Sequence, residues 1–569
     1  MIAIWQRIPH GQLADFDHQR NDHKGNGMKS QSHDMTNPPD LLLSDGTGPS
    51  TQRQPIFQNY LPPCNQGCPA GENIQGWLGL AHEQKFEQAW QLLIAENPMP
   101  AVHGRVCYHP CESVCNRANV DSSVSIHQVE RFLGDMAIEQ GWQPRFEARQ
   151  SGKKVLIVGA GPSGLSAAYH LARLGHYVEV RDAGPIAGGM MHFGIPAYRL
   201  PRTILAAEIQ RIEDMGVKFT LDHKVEDLKQ EKSDGQFDAV FVAVGAHISR
   251  KVEIPAREAG HILDAVSFLR DVGKGEATKL GRRVAIYGGG NTAMDAARTA
   301  KRLGAEETLI IYRRNMEQMP AHQFEAEEAL EEGVKINWLR TIKEINLDQI
   351  TVEKMTLDEH GKPVPTGEFE TLEADALILA LGQNIDSELL ACYPEITFKP
   401  DGTVIVDEQM MTARNGIFAG GDMVPCDRTV TIATGHGKKA ARHIHAFLSG
   451  TVHRGRCKPP VADFESLNLW YLTEAEQTHQ PTLPVDKRDH SFAEILGSLD
   501  TKQATFEASR CYSCGNCFEC DGCYGACPEQ AIIKLGEGRF YQIDYSRCTG
   551  CTACTLQCPT GAIHMVTTR

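Results

Sequence analysis

The order of apolar and polar positions divides the chain into segments of different character. Residues 1–54 are polar without a sustained apolar period, which predicts a disordered lead. Apolar residues then recur at helical spacing from about residue 64 to 142, beginning with Ile74, Trp77 and Leu78. Residues 154–182 and 283–314 each predict a buried strand, a glycine-rich turn, a helix and a second strand. This repeated order indicates an α/β protein with two dinucleotide-binding, Rossmann-like domains.

The first glycine turn contains Gly159, Gly161 and Gly164. In this pattern the first glycine permits a tight turn, the second lets the backbone approach a pyrophosphate, and the third allows close contact between helix and strand. A helix that begins near Pro162 would present its N-terminus to the phosphates. Asp182 ends the next strand and is placed to accept a hydrogen bond from a ribose hydroxyl. The alternative is a glycine turn in an ordinary strand–helix unit.

Glycines further along the chain indicate which nucleotide the first site binds. Gly188 and Gly189 follow the acidic residue, and Gly421 and Asp422 follow a short apolar run. These segments resemble the second glycine signature and the late Gly-Asp motif of flavoproteins with two dinucleotide sites, in which the aspartate holds the flavin ribityl chain. The resemblance implies FAD at the first site. It also implies a helix that starts near Thr429 and points its positive end at the flavin ring.

The second glycine turn occupies residues 288–290 and opens another helix, with Ala293 in place of the last glycine. The following strand ends in two arginines, at the position where an NAD site has a carboxylate. Because arginine pairs with a 2′-phosphate, the sequence favours NADP(H) over NAD(H). The alternative is that both arginines only solvate the strand end. The residues assigned to this site are Gly288, Gly290, Asn291, Thr292, Arg313 and Arg314.

Two cysteine runs near the C-terminus share the spacing Cys-x-x-Cys-x-x-Cys-x-x-x-Cys-Pro. Bacterial two-cluster ferredoxins have this run, in which three cysteines bind one 4Fe-4S cluster and the fourth binds the other. Zinc is the alternative metal, but the proline and the three-residue gap favour iron–sulfur. The crossing rule predicts one cluster on Cys517, Cys520, Cys523 and Cys558, and another on Cys548, Cys551, Cys554 and Cys527. Cys511 and Cys514, just upstream, are alternative ligands, a redox pair or inert thiols.

A third group of cysteines comprises Cys64, Cys68, Cys107, Cys111 and Cys115. This segment resembles the iron–sulfur domain of the glutamate synthase small subunit and of dihydropyrimidine dehydrogenase. That family binds two 4Fe-4S clusters here and has a further upstream Cys-x-x-Cys, which this chain lacks. The resemblance implies one cluster, with Cys64 and Cys115 left at a depleted second site. The implied ligands are Cys68, Cys107, Cys111 and Glu130. For Glu130, the alternatives are replacement by Cys64 or Cys115 and a helix-surface carboxylate.

The likeness to the glutamate synthase small subunit extends from about Pro62 to Leu448. It implies an NAD(P)H-dependent oxidoreductase subunit that moves electrons between NADP(H), FAD and 4Fe-4S clusters, with a larger catalytic subunit or a ferredoxin as partner. That subunit lacks the ferredoxin-like tail, so an electron module of a 2-oxoacid:ferredoxin oxidoreductase and a stand-alone NAD(P)H:ferredoxin oxidoreductase are alternatives. A third alternative is a non-catalytic electron-carrier or assembly subunit. No catalytic side chain is assigned, because the flavin carries the chemistry.

Composition and charge indicate the cellular compartment of the protein and argue against one class of partner. A formal net charge of −15 argues against a nucleic-acid partner, since phosphate binding needs a basic surface. The sequence has no uninterrupted apolar stretch of about 18 residues, and its N-terminus does not resemble a signal peptide, so we expect a cytoplasmic protein without a membrane span. In that compartment, clustered cysteines are metal ligands more often than disulfides.

These segments give a predicted domain division. It begins with the lead (1–54) and a helical iron–sulfur domain (55–150). An FAD-binding domain in two parts (151–282 and 376–450) encloses an NADP(H)-binding domain (283–375). A Pro- and polar-rich linker (451–500) and a ferredoxin-like 4Fe-4S domain (501–569) complete the chain.

Overall fold

A computed structural model describes residues 52–146, 149–249, 256–257, 261–276, 279–455, 457–470 and 472–567. The chain divides into two compact units. The smaller unit comprises Met1–Pro63, Lys458–Glu474 and Tyr512–Arg569, and the larger comprises Cys64–Cys457 and Ala475–Cys511. Most of the predicted lead, up to residue 51, lies outside the described residues. Arg53 and Gln54, which the prediction placed in the lead, belong instead to a strand.

Most of the strands are short, and the longest, Pro363–Glu373, has 11 residues. In chain order they are β1 (Arg53–Phe57), β2 (Lys154–Val158), β3 (Tyr177–Arg181), β4 (Lys218–Thr220), β5 (Ala239–Val242), β6 (Ile248–Ser249), β7 (Ala256–Arg257), β8 (His261–Asp264), β9 (Arg283–Tyr287), β10 (Glu307–Tyr312), β11 (Lys335–Trp338), β12 (Arg340–Asn346), β13 (Gln349–Leu357), β14 (Pro363–Glu373), β15 (Ala376–Leu379), β16 (Gln383–Asn384), β17 (Ile417–Ala419), β18 (Ile532–Lys534), β19 (Tyr541–Ile543) and β20 (Ile563–Thr567).

The helices precede, connect and follow these strands. In chain order they are α1 (Pro63–Gly67), α2 (Ile74–His82), α3 (Phe86–Ile94), α4 (Pro100–Val106), α5 (Pro110–Ser113), α6 (Ile126–Glu139), α7 (Pro162–Arg173), α8 (Met190–Phe193), α9 (Arg202–Asp214), α10 (Leu228–Asp234), α11 (Ala265–Gly273), α12 (Asn291–Arg302), α13 (Gln323–Glu331), α14 (Val430–Leu448), α15 (Thr501–Ser509), α16 (Gly522–Ala526) and α17 (Ala553–Leu556). None of the helices in the described part of the chain is long and apolar enough to cross a membrane.

Two five-stranded parallel sheets form the centre of the larger unit. One has the order β17-β5-β2-β3-β4 and the other β11-β10-β9-β15-β8. The central strands β2 and β5 are continuous apolar runs, buried over Val155–Val158 and Ala239–Val242, as expected where helices cover both faces of a sheet. The predicted α/β class with two Rossmann-like domains is therefore confirmed.

The boundaries between these two domains differ from the predicted division. Strands β8 and β15 both belong to the second sheet, whereas the division at residues 283 and 376 assigned them to the FAD-binding domain. A further sheet of order β14-β13-β12-β7 is built on two antiparallel hairpin pairs and one short parallel pair. The sequence missed β8 because no glycine turn follows it, and half of its residues are exposed.

The helical segment predicted from residue 64 onward is confirmed. Its core also includes residues from near the C-terminal end of the chain. Trp77 and Trp90 are fully buried in helices α2 and α3. The core around α2 also contains Leu499 and the α15 residues Ala504 and Ala508, which the prediction placed in the linker and the ferredoxin-like domain. The segment Ala475–Cys511 is therefore part of the larger unit.

The smaller unit is built from strand pairs and short helices. Strand β1 pairs antiparallel with β20, from Arg53 opposite Thr567 to Phe57 opposite Ile563, and β18 pairs antiparallel with β19. Part of the predicted linker also belongs here, since Asn468 Nδ2 donates a hydrogen bond to the Cys558 carbonyl at 2.7 Å. Residues 55–57, with which the predicted helical domain began, thus belong to a strand of this unit.

Candidate functional site

The first glycine turn has the geometry that the three predicted roles require. Gly159 has a φ of +108°, and a Cβ there would lie 2.3 Å from the Ala243 carbonyl oxygen. A Cβ at Gly164 would lie 1.9 Å from the Gly159 carbonyl oxygen, so α7 packs closely on the turn. A Cβ at Gly161 would meet no heavy atom of the described residues within 4 Å. The open side of Gly161 leaves room for a pyrophosphate at the N-terminus of α7.

The glycine pair after β3 lies against this turn. The Gly188 N–H donates a hydrogen bond to the Ala160 carbonyl at 2.8 Å. A Cβ at Gly189, whose φ is +54°, would lie 2.8 Å from the Gly161 Cα. This close backbone approach favours glycine at position 189, and a φ of +123° favours it at position 188.

The carboxylate of Asp182 joins the first glycine turn to the loop that follows β3. Its Oδ2 accepts a hydrogen bond from the Ala160 N–H at 2.7 Å, and its Oδ1 accepts one from the Gly184 N–H at 2.7 Å. Each carboxylate oxygen can accept more than one hydrogen bond. A ribose hydroxyl would therefore share oxygens that already order the turn.

The Gly421–Asp422 pair meets the first turn of α7. Gly421 has a φ of +72°, and a Cβ there would lie 3.0 Å from the Ser163 Cβ. Burial raises the pKa of Asp422 to about 6, and Arg428 opposes this shift. A partly buried carboxylate that lines a cavity is a suitable acceptor for the hydroxyls of a ribityl chain. Helix α14 begins close by, with the Thr429 hydroxyl accepting a hydrogen bond from the Ile432 N–H at 3.2 Å.

The second glycine turn, after β9 in the other parallel sheet, has the same geometry as the first glycine turn. Gly288 has a φ of +152°, and a Cβ there would lie 2.3 Å from the Ala380 carbonyl oxygen. A Cβ at Gly290 would likewise have no neighbouring heavy atom within 4 Å in the part of the chain that the structure describes. The buried Nε of Arg314 has no hydrogen-bond partner in the described part of the chain. An unpartnered guanidinium N–H beside an open glycine turn fits a phosphate-bearing ligand.

Both turns open into one cavity of about 1320 Å³ within the larger unit. Gly164 and Gly188 are not among the residues that line it, because they pack against the neighbouring backbone and side chains instead. The predicted nucleotide-site residues that line the cavity are Gly159, Gly161, Asp182, Gly189, Gly288, Gly290, Asn291, Thr292, Arg313, Arg314, Gly421 and Asp422.

Three N-terminal cysteines and Glu130 lie together in the helical segment. Burial raises the pKa of Cys107 to about 12, and the Glu130 carboxylate raises it further. Burial also raises the pKa of Cys68, with Glu72, Glu130 and Cys107 adding to the shift. The pKa of Cys111 is raised by burial, and Cys68 and Cys107 are among the neighbours that contribute. Iron–sulfur clusters are held mainly by cysteine thiolates, and these three neighbouring thiols, with a carboxylate beside them, are donors that could hold one.

Glu130 lies among buried polar side chains that could not be identified from the sequence. The Asn97 Nδ2 donates hydrogen bonds to Glu130 Oε1 at 2.7 Å and to Glu72 Oε1 at 2.9 Å. Glu72, His103 and Glu130 bring their ligand atoms within 4.8 Å of one another. Burial raises the pKa of Glu130, and Glu72 raises it further. No motif marks these residues, since they come from three separate segments of the chain.

The Cys107 site adjoins the nucleotide cavity. Val106 and Tyr108, the two chain neighbours of Cys107, both line that cavity. Thr431, in the first turn of α14, lies close enough to lower the pKa of Cys107, although burial dominates the shift. A Cβ at Gly435 in the same helix would lie 2.2 Å from the Pro69 carbonyl oxygen. The helix predicted to point at the flavin ring therefore packs directly on the cysteine loop.

The C-terminal cysteines form the two crossed groups that the ferredoxin pattern predicts. Burial raises the pKa of Cys523 to about 12, and its neighbours Cys517, Cys558 and Cys520 raise it further. Burial likewise raises the pKa of Cys554 to about 11, with contributions from Cys548, Cys551 and Cys527. A small cavity is lined by all four cysteines of the second group. Cys558 thus joins the first run, and Cys527 the second.

These sites define an oxidoreductase that binds FAD and NADP(H) and has iron–sulfur domains before and after its nucleotide-binding domains. Residues 153–443 match the pyridine nucleotide-disulphide oxidoreductase family, and the chain belongs to that family. Residues 55–142 match the 4Fe-4S cluster domain II of dihydropyrimidine dehydrogenase, and residues 516–562 match a 4Fe-4S dicluster domain. The predicted activity class and cofactors are thereby confirmed.

Three similar curated proteins are named as subunits or chains of NADP(H)-dependent enzymes. The NADP(+)-dependent formate dehydrogenase subunit beta of Moorella thermoacetica is 35% identical over 505 residues, covering 79% of this chain and 70% of the relative. The NADPH-Fe(3+) oxidoreductase subunit beta of Geobacter sulfurreducens strain PCA is 34% identical over 512 residues, covering 81% and 76%. The glutamate synthase [NADPH] small chain of Escherichia coli K12 is 34% identical over 419 residues, covering 68% and 89%. The resemblance inferred from the sequence is confirmed.

Proposed function

We propose that this chain is the electron-input subunit of a larger enzyme. It would take electrons from NADPH and pass them, one at a time, to a catalytic partner subunit or a ferredoxin. When bound, FAD supplies the conversion between two-electron and one-electron transfer. The naming of the relatives as beta subunits or small chains supports a partner of this kind.

The observation that carries the proposal is the position of Cys107. It lies between two cavity-lining residues, Val106 and Tyr108, and beside the first turn of α14. A cluster on this thiol would be next to the nucleotide cavity without a separate connecting segment. The described cavity residues therefore supply binding and orientation, and the adjacent cysteine supplies an outlet for electrons.

The residues at each end of the cavity have separate tasks in this proposal. Arg313 and Arg314 would bind the 2′-phosphate of NADP(H), because guanidinium groups pair with phosphate oxygens. Asp182 and Asp422 would hold the ribose and ribityl hydroxyls of FAD. The N-terminus of α14 would face the flavin ring and favour its anionic reduced form.

The assay is anaerobic reduction of a bacterial ferredoxin by NADPH, with wild-type chain and with Cys107→Ser. We expect flavin bleaching by NADPH in both, and a fall in ferredoxin reduction of at least about tenfold in the variant, or more than 1.4 kcal/mol in the barrier. Cys392→Ser, a partly buried thiol elsewhere in the same unit, is the matched control. Ferredoxin reduction at the wild-type rate in Cys107→Ser would contradict the proposed outlet. Wild-type protein that does not oxidise NADPH would favour the non-catalytic alternative.

A further inference from the structure

The larger unit contains cysteines that the sites described above do not use. Cys64 is buried in α1, Cys115 follows α5, and Cys511 follows α15. All three belong to one core: Cys64 is a member of it, and the other two pack against it. Cys511 comes 396 residues after Cys115 and 447 after Cys64 in the chain. The fold therefore gathers them from separate parts of the sequence.

Helix α1 and helix α5 lie against each other. A Cβ at Gly67, the last residue of α1, would lie 2.7 Å from the Val114 Cγ2 and 3.3 Å from the Pro110 carbonyl oxygen. Val114 directly precedes Cys115, and Cys64 begins the turn that Gly67 ends. This contact brings the Cys64 and Cys115 segments to one place.

The end of α15 is fastened to the segment after Cys115 by buried arginines. Arg117 Nη1 donates a hydrogen bond to the Arg510 carbonyl at 3.0 Å. Arg510 Nη1 in turn donates to the Ser123 carbonyl at 2.9 Å and to Glu507 Oε1 at 2.6 Å. Arg117 comes two residues after Cys115, and Arg510 directly precedes Cys511. Cys115 and Cys511 are thus held by the same network.

The chemistry of this corner suits an anionic metal cluster. Arg117 and Arg510 are both buried, and Asp121 pairs with each of them, at 2.5 Å and 3.2 Å. Buried guanidinium groups next to thiols favour the thiolate form that binds soft metals. The alternative is that the cysteines only fill an apolar core, since unmodified cysteine is often buried. Iron content separates the two readings, because a cysteine that only fills the core binds no iron.

We propose that Cys64, Cys115 and Cys511 bind a further iron–sulfur cluster, separate from the one next to the nucleotide cavity. Cys511 would add a thiol to the second cluster site of the helical segment, which the resemblance had left with only Cys64 and Cys115. The segment that the sequence assigned to a linker and a ferredoxin-like domain would then complete a cluster site of the helical segment.

The test counts iron and acid-labile sulfide in the whole chain, reconstituted anaerobically. Four 4Fe-4S clusters require about 16 iron atoms per chain, and three require about 12. We expect Cys511→Ser to lose about four iron atoms, and the same loss in Cys115→Ser, because each removes a ligand of one cluster. Cys392→Ser should keep the wild-type iron content. FAD content reports whether each variant has folded, and Cys115→Ser decides the question if Cys511→Ser fails to fold.

Double variants show whether the cluster is a separate one. Adding Cys115→Ser to Cys511→Ser should cost no further iron, whereas adding Cys68→Ser should bring the total loss to about eight iron atoms. Wild-type iron content in Cys511→Ser overturns the proposal. So does a total loss of only about four in Cys511→Ser combined with Cys68→Ser, or a zinc ion in the wild type that Cys511→Ser lacks. Flavin bleaching by NADPH, which needs none of these cysteines, tests the proposed function independently.

Discussion

The side chains of Tyr108 and Asn291 join the cysteine segment to the nucleotide-binding helix. Asn291 Nδ2 donates a hydrogen bond to the Tyr108 hydroxyl at 2.5 Å, and Asn291 is the first residue of α12. Tyr108 also stacks on the His322 ring, with the ring centroids 3.5 Å apart. Tyr108 directly follows Cys107, a predicted cluster ligand, in the chain. Tyr108 therefore connects that ligand to α12, the helix that would bind the phosphates of NADP(H).

Removing this hydroxyl should weaken NADP(H) binding. In Tyr108→Phe, Asn291 loses one of its partners at the N-terminus of α12, which costs about 1 kcal/mol, or about fivefold in affinity. We expect the KM for NADPH to rise by that factor with FAD and iron content unchanged. Tyr177→Phe, an exposed tyrosine at the start of β3, is the control. An unchanged KM in Tyr108→Phe would show that the contact does not position the helix.

The two arginines after β10 should set the preference for NADPH. Losing a charged hydrogen bond to phosphate costs about 1.5–3 kcal/mol, so Arg314→Ala should raise the KM for NADPH by roughly ten- to a hundredfold. The KM for NADH should change little, because NADH lacks the 2′-phosphate. Arg282→Ala removes a guanidinium that is exposed and paired with Glu306, and it should behave as wild type. Equal losses with both nucleotides would contradict the assignment.

The Asp422 carboxylate should lower the stability of the apoprotein and strengthen the binding of FAD. Its pKa in the folded chain is raised to about 6, above its usual 3.8, so the folded state holds the proton more tightly than the unfolded state. Stability therefore falls as the pH rises from about 4 to 6, by on the order of 3 kcal/mol. Asp422→Asn should melt at a higher temperature than wild type at pH 8, with the difference shrinking toward pH 4.5.

The same variant should bind FAD more weakly, since an amide is a poorer acceptor for ribityl hydroxyls than a carboxylate. Thermal melts of apoprotein across this pH range and FAD titrations measure the two effects. Asp427→Asn, an exposed carboxylate five residues further on, should change neither. A pH-independent difference between Asp422→Asn and wild type would show that another group causes it.

The crossed ferredoxin ligands can be tested by paired variants. Cys517→Ala and Cys558→Ala should each lose about four iron atoms, and the double variant should lose no more, because both bind one cluster. Cys517→Ala combined with Cys527→Ala should lose about eight. Iron analysis of the anaerobically purified chain gives the result. If Cys517→Ala with Cys558→Ala loses eight instead, the two thiols belong to different clusters.

Features fixed by local backbone geometry could be predicted from the sequence. The turns at Gly159 and Gly288 need positive φ angles and close backbone contact, and glycine spacing records both requirements. The ferredoxin runs are recognisable because short cysteine spacing is itself the ligand geometry. Asp182 was predicted as a ribose acceptor, and its bonds to the turn itself became visible only in the structure.

Features fixed by long-range packing could not be predicted. Glu72 and Asn97 meet Glu130 only after α2, α3 and α6 have packed, and no spacing in the chain records that meeting. Helix α15 was assigned to the ferredoxin-like domain because cysteines follow it. Its buried Ala504 and Ala508 belong to the helical core instead, and two alanines give too weak an apolar pattern to indicate which core they join.

The central claim is that electrons from NADPH reach iron–sulfur clusters through this chain alone. Electron paramagnetic resonance of the reconstituted wild-type chain, frozen after anaerobic addition of NADPH without any partner, tests it most directly. We expect the flavin absorbance to bleach and the signal of reduced 4Fe-4S clusters to appear, with both weaker at equal NADH concentration. Bleached flavin with clusters that stay oxidised, yet can be reduced by dithionite to the same signal, would contradict the claim.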